Sequence, residues 1–189
     1  MYRSHNGTEV EIVRDVSSII IPDGLEAHLP KGERVWIQQV LGGMFTVQTD
    51  KGYLMRIDGK DADALGQTIP DERRSLTREY VEDKGMKLCV EDQLRTCYDP
   101  EIPVNIYDLG LIYDCEIIPA DNLGEFFLVR IEMTLTAPGC GMGEILKSDV
   151  EKKVRDIPGV QDVVVDLVFD PPWDSSLMSE AAKLSLGLL

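Results

Sequence analysis

The pattern of hydrophobic and polar positions changes its period once along the chain. Up to about residue 66 the apolar positions come in short runs, rich in β-branched and aromatic residues and broken by turn signals. Val10-Glu11-Ile12-Val13 and Ser18-Ile19-Ile20-Ile21 read as strands, the second ended by Pro22-Asp23-Gly24. Arg34 to Leu41, the two-residue turn Gly42-Gly43 and Met44 to Thr49 predict a hairpin, and Asp50-Lys51-Gly52 turns the chain into another strand, Tyr53 to Ile57. Such short strands and tight turns predict a small all-β unit, barrel-like or curled. Asp58 to Gly66 reads as a helical turn that plugs one end. Its three aspartates lack the spacing and downstream glutamate of a calcium loop, so a solvated cap is expected.

Residues 67 to about 77 hold Pro70 and a run of charges without a periodic apolar face, the mark of a linker. Beyond them, helical and strand patterns alternate. Val90, Leu94 and Cys97 predict a helix from about Met86 to Tyr98 that Asp99-Pro100 stops. Leu111 to Ile118 and Phe126 to Thr136 predict a strand pair. In the second strand Phe127, Val129, Ile131, Met133 and Leu135 share one face, and Arg130, Glu132 and Thr134 the other. Leu146, Val150, Val154 and Ile157 stripe a helix ended by Pro158-Gly159, and Val163, Val165, Leu167 and Phe169 mark a third strand. Leu177, Ala181, Leu184 and Leu188 stripe a last helix, expected to pack in the core, with a free end that could swap between chains and support a homodimer. The expected fold is α+β. A small β-rich domain occupies 1–70, a linker 71–84, and an αββαβ two-layer domain with a C-terminal helix 85–189.

Composition narrows the function. The formal net charge of −15 repels phosphate backbones, and the only basic clusters are Arg73-Arg74 with Arg78 and Lys152-Lys153 with Arg155, so nucleic acid is not an expected partner. The second cluster falls near a helix C-terminus, where cations are expected for dipole reasons. No apolar run is long enough to span a bilayer and the N-terminus does not read as a signal peptide, so no membrane role and a cytoplasmic location are expected. The four cysteines form no Cys-x-x-Cys, which argues against a zinc knuckle, a ferredoxin-type cluster and a thioredoxin-like pair.

The richest chemistry lies in Thr134-Leu135-Thr136-Ala137-Pro138-Gly139-Cys140-Gly141-Met142-Gly143, where a strand pattern runs into a helical one. A thiol at the first turn of a helix faces unpaired N–H groups and the positive end of the dipole, which favour thiolate. Gly139 and Gly141 leave the sulfur unscreened. The same spacing also suits a buried cysteine at a tight turn. Cys97 and Cys115 fall on apolar stripes and read as core, Cys97 also as a second thiol beside the Asp99 turn; Cys89 is left without a role.

Cys97-Tyr98-Asp99-Pro100-Glu101-Ile102-Pro103-Val104-Asn105-Ile106-Tyr107-Asp108-Leu109-Gly110-Leu111, Thr134 to Gly141 and Pro171-Pro172-Trp173 together resemble the signature of the PaaD-like metal–sulfur cluster assembly domain, over roughly residues 85 to 189. The N-terminal stretch, with Leu41-Gly42-Gly43-Met44-Phe45-Thr46-Val47 and Asp61-Ala62-Asp63-Ala64-Leu65-Gly66, looks like the extension of SufT proteins. The resemblance implies an accessory, non-enzymatic role in iron–sulfur protein maturation, with apo client proteins and SUF assembly components as partners. It maps the family cysteine onto Cys140 and the acidic turn onto Asp99 and Glu101. Many relatives carry proline after the cysteine; Gly141 here looks like the SufT variant and leaves that backbone looser. Asp99 and Glu101 would then line the site as oxygen ligands or a proton acceptor, although Asp99 before Pro100 equally suits an ordinary turn; Thr134 and Thr136 could donate to the sulfur, and Trp173 could wall the site, anchor a partner or simply pack.

Three functional readings follow. In one, Cys140 is a transient cluster ligand; a single thiolate cannot hold a [2Fe–2S] cluster, which takes four ligands, so no permanent cofactor is expected. In another, the chain is a metal-free adaptor that recruits clients. An enzyme with Cys140 as nucleophile ranks last, for want of a nearby histidine or a phosphate-binding loop, and no catalytic residue is assigned.

Overall fold

A computed structural model describes residues 7–69, 76–99, 102–137 and 142–188. The chain divides into two units, Met1–Arg74 and Ser75–Leu189.

The first unit is one antiparallel sheet of six strands: β1 (Thr8–Glu11), β2 (Val16–Ile21), β3 (Glu26–Leu29), β4 (Arg34–Leu41), β5 (Met44–Thr49) and β6 (Leu54–Asp58), ordered β1-β4-β5-β6-β2-β3. Gly42 and Gly43 both take positive φ (56° and 73°), the backbone that a tight two-residue hairpin between β4 and β5 needs. Pro22-Asp23-Gly24 does more than stop a strand: Gly24 N donates to the Ile20 carbonyl and the chain returns as β3. The sequence Glu-Ala-His-Leu has little strand propensity, which is why β3 is not legible locally; pairing with β2 creates it. A 3₁₀ segment, Gly59–Leu65, lays Ala62, Ala64 and Leu65 on the core of Ile12, Phe45 and Ile57. Its aspartates are spent structurally. Asp58 Oδ1 accepts from Lys60 N, while Arg14 binds Asp61 (2.9 Å) and Asp63 (2.6 Å), holding the Asp63 carboxyl below the usual carboxylate range. Among the described residues the ladder ends at β1 on one side and β3 on the other.

The second unit starts with α1 (Arg78–Lys84), inside the stretch expected as a linker. Thr77 Oγ1 caps it by accepting from Tyr80 N, Val81 joins the second core, and Lys84 pairs with Asp92 of α2 (Met86–Leu94). With seven residues and one buried side chain, α1 has no stripe to read in sequence; its neighbour α2 holds it. Helix α2 ends at Leu94, earlier than its pattern suggests, as the Thr96 hydroxyl and the Cys97 thiol both donate to the Gln93 carbonyl. Then come β7 (Ile112–Pro119), β8 (Phe127–Met133), α3 (Gly143–Arg155), β9 (Val160–Leu167) and α4 (Glu180–Ser185). β7 and β8 run antiparallel, β8 and β9 parallel. Parallel neighbours need a crossover, and α3 supplies it. Val129, Ile131 and Met133 of β8 meet Leu146, Val150 and Val154 of α3, each worth roughly 1.5–3 kcal/mol when fully buried.

The C-terminal stripe requires correction. Leu177, Leu184 and Leu188 are exposed, as is Ala181, and the buried side is Met178, Ala182 and partly Leu186. Ser179 sets this phase: its N–H donates to the Asp108 carbonyl (2.8 Å) and its Oγ accepts from Ala182 N (3.1 Å), which turns Leu184 outward. Among the described residues no helix is long and apolar enough to cross a membrane.

Candidate functional site

The β8–α3 junction lies at the carboxyl edge of a strand, where open sheets commonly build ligand sites. Its two described ends meet, since a Cβ at Gly143 would fall 2.6 Å from Leu135 Cδ1. Cys140, Gly139 and Gly141 lie outside the described residues, as does Glu101. Helix α3 begins after Met142 without a side-chain cap, and Glu144 is the acid of its first turn, so its leading N–H groups have no capping partner among the described side chains.

Thr134 stands at the exit of β8. Its N–H donates to the Leu111 carbonyl (2.8 Å), yet its Oγ1 is buried without a hydrogen-bond partner among the described residues. A buried hydroxyl left without a partner costs about 1–3 kcal/mol. Thr136 is half-buried. Asp99 is buried beside Cys97, and the Asp99 carbonyl accepts from Ile102 N (3.1 Å). Trp173 is half-buried, with its Nε1 donating to the Leu109 carbonyl (2.9 Å).

These residues are joined through one segment, Asn105 to Leu111, which belongs to the stretch that carries the resemblance but from which no site residue is expected. Tyr98 bridges to Asn105 and Ile106 N donates to the Cys97 carbonyl, which ties in the Asp99 side. Leu111 holds Thr134, Leu109 holds Trp173, and Asp108 holds Ser179. Inside the segment Asn105 and Asp108 exchange two bonds: Asp108 N donates to Asn105 Oδ1 (2.8 Å) and Asn105 Nδ2 to Asp108 Oδ2 (2.7 Å). Arg95 Nη1 then reaches Asp108 at 2.8 Å while its guanidinium lies 4.1 Å from the centre of the Tyr107 ring. Gly110 has φ +72°, and a Cβ there would collide with the Leu177 carbonyl, so the C-terminal tail can lie this close only against glycine. The clue in sequence was the pairing of Asn105 with Asp108 before a glycine, an Asx-type turn.

Lys153, grouped in the sequence with Lys152 and Arg155 near a helix C-terminus, stands in the last turn of α3 as expected, but it is buried, reaches the Thr96 carbonyl at 2.6 Å and lies 3.5 Å from Asp149, also buried. It therefore pins the crossover helix to the segment leading into Asp99. Its spacing, three beyond Val150 on the apolar stripe, was the available signal.

The described thiols are quiet. Cys89 and Cys97 are fully buried in the core, and burial raises the Cys89 pKa. Cys115 is half-buried, and burial, reinforced by Asp114 and Glu91, pushes its thiol up to about 11. Among the described residues no three His, Cys, Asp or Glu side chains converge to hold a metal ion.

The model of the iron–sulfur cluster assembly protein family matches residues 89–167. A curated Fe-S protein maturation auxiliary factor of Porphyromonas gingivalis is 49% identical over 96 residues, which are 51% of this chain and 86% of that protein. The Fe-S protein maturation auxiliary factor YitW of Bacillus subtilis is 37% identical, over 56% of this chain and 98% of its own length. The factor named SufT of Staphylococcus aureus is 38% identical, over 48% of this chain and 96% of its own length. Each relative is matched nearly whole by about half of this chain.

Proposed function

This chain belongs to the iron–sulfur cluster assembly protein family, and on that premise we propose that it is an accessory factor in iron–sulfur protein maturation, with Cys140 as the thiolate through which a cluster passes to an apo-protein. The observation that carries the reading is the β8–α3 junction. By sequence Cys140 falls between the described Ala137 and Met142, next to a helix start with no side-chain cap and six residues after a buried hydroxyl with no partner, both among the described residues.

The chemistry proposed is ligand exchange. A thiolate stabilised by helix N–H groups binds soft iron without first losing a proton. The cluster is cargo, and its other ligands come from the protein that delivers it and then from the client. Each client thiol that displaces Cys140 sheds a proton, for which Asp99 and Glu101 on the family's acidic turn are the proposed acceptors. Thr134 and Thr136 are proposed to donate to the sulfur, and Trp173 to wall the site through its anchor on Leu109. Apart from the thiol protons shed on binding, no bond of a client is made or broken beyond its metal–thiolate bonds, so the role proposed is that of a factor and not an enzyme. Apo client proteins and SUF components are the proposed partners, in the reducing cytoplasm that free thiolates require.

The test is Cys140→Ser in cells that depend on this chain, read as the activity of iron–sulfur enzymes, alongside anaerobic reconstitution with iron and sulfide. The expected result is loss of maturation with an unchanged melting curve, and a charge-transfer spectrum in the wild type that the variant lacks. Full maturation by the variant would reassign the chain as a metal-free adaptor.

A further inference from the structure

The sheet of the second unit has helices over one face only, and the other face is not an ordinary solvated surface. Registered across β7, β8 and β9 it carries three rows: Ile118–Leu128–Asp162, Glu116–Arg130–Val164 and Asp114–Glu132–Asp166. Phe126 continues the first row by strand alternation. Phe126, Ile118 and Leu128 at one end of the face are 43%, 44% and 39% exposed, and Val164 in the middle row is 50% exposed, so four large apolar side chains of this face meet water. At the other end three carboxylates stand side by side on neighbouring strands, an arrangement that destabilises a sheet. Arg130 is the one cation of the three rows, and it reaches Asp166 at 3.4 Å. Among the described residues Asp114, Glu116 and Glu132 have no ion-pair partner. The acidic row is the one nearest the β8–α3 junction, and Thr134, whose buried hydroxyl has no partner among the described residues, follows Glu132 at the same alternation of the strand.

We propose that this face is the dock for the client: it takes a basic segment of the apo-protein that carries apolar side chains beside its lysines or arginines. The inference rests on the maturation role and adds the surface and the chemistry of the partner. The apolar end supplies contact area, the carboxylate row supplies register, and a segment running along β8 leads toward the junction where Cys140 falls in sequence. Charge selects the occupant. A second copy of this chain would set one row of carboxylates against another, and a nucleic acid would bring phosphates to it. A basic segment instead relieves the repulsion that the free protein bears.

The experiment uses the full chain and a short fluorescent peptide of alternating lysine and leucine, with its glutamate–leucine counterpart as the control probe. Binding is followed by anisotropy across a salt series. One variant combines Asp114→Asn, Glu132→Gln and Asp166→Asn; another is Leu128→Lys. A charge-matched control combines Glu11→Gln, Asp23→Asn and Glu26→Gln in the first unit. The expected result is salt-sensitive binding of the lysine peptide alone, weakened about tenfold by the first two variants and unchanged by the control. Equal weakening by the control, no binding to the wild type, or a shift in oligomeric state in the Leu128→Lys variant that traces the patch to self-association would overturn the proposal. The two readings fail separately. Cys140→Ser should bind the peptide like the wild type. If it also keeps maturation while the triple variant loses it, the thiol role fails and the dock stands; if the triple variant matures clients normally and Cys140→Ser does not, the dock fails and the thiol role stands.

Discussion

Thr134 separates what a residue does for the fold from what it does for the site. Its backbone is used, donating to Leu111, whereas its hydroxyl is buried with no partner among the described residues. Thr134→Val keeps the shape and removes the unpaired group. We expect it to leave the protein as stable or up to about 1–2 kcal/mol more stable in a urea melt. If the hydroxyl serves the sulfur, the same variant lowers client maturation. A loss of stability would show instead that the hydroxyl bonds within the free fold. At this scale the sequence was informative in one way only: alternation put Thr134 on the face with Arg130 and Glu132, but it could not foretell that the position would be sealed from water.

At the scale of elements, the crossover helix is positioned from far away. Lys153 on α3 donates to Thr96, 57 residues distant, beside the equally buried Asp149. Lys153→Ala removes a buried donor to Thr96 together with the positive charge beside buried Asp149 and is expected to cost about 3–5 kcal/mol, read by chemical denaturation, and Lys153→Met with Asp149→Leu much less. Arg155, exposed and paired with Asp162, should be nearly silent under the same measurement. The Asn105 to Leu111 segment plays the corresponding part for the loops. It has no helical or strand period, so a search for periodicity passes over it, while its hydrogen bonds gather the Asp99, Thr134 and Trp173 segments.

For the whole molecule, two separate apolar cores and a boundary at Arg74–Ser75 describe two units, each with its own burial. The relatives are matched nearly whole by about half of this chain, and the family model's match, residues 89–167, lies within the second unit. A fragment of residues 75–189 is expected to unfold cooperatively by itself, reproducing one of two transitions of the full chain in calorimetry. A fragment without a cooperative transition would show that the second core depends on the first unit. The net charge of −15 is a property of this scale as well, an excess of carboxylates spread over both units.

By itself the sequence determined the change of period between the units, most of the strands, the crossover helix and the position of Cys140 between β8 and α3. Each of these follows from local sterics or side-chain periodicity, which neighbours in the chain suffice to encode. The tertiary structure decided the rest. β3 exists because β2 pairs with it, and α1 because α2 covers Val81. The phase of the last helix was set by Ser179 bonding Asp108, which buried Ala182 and exposed the leucine stripe that its spacing alone had favoured for the core. Lys153 was drawn inside by a carbonyl on another element. A chain pattern specifies that a face will be buried; which face, and what meets it, depends on partners distant in sequence.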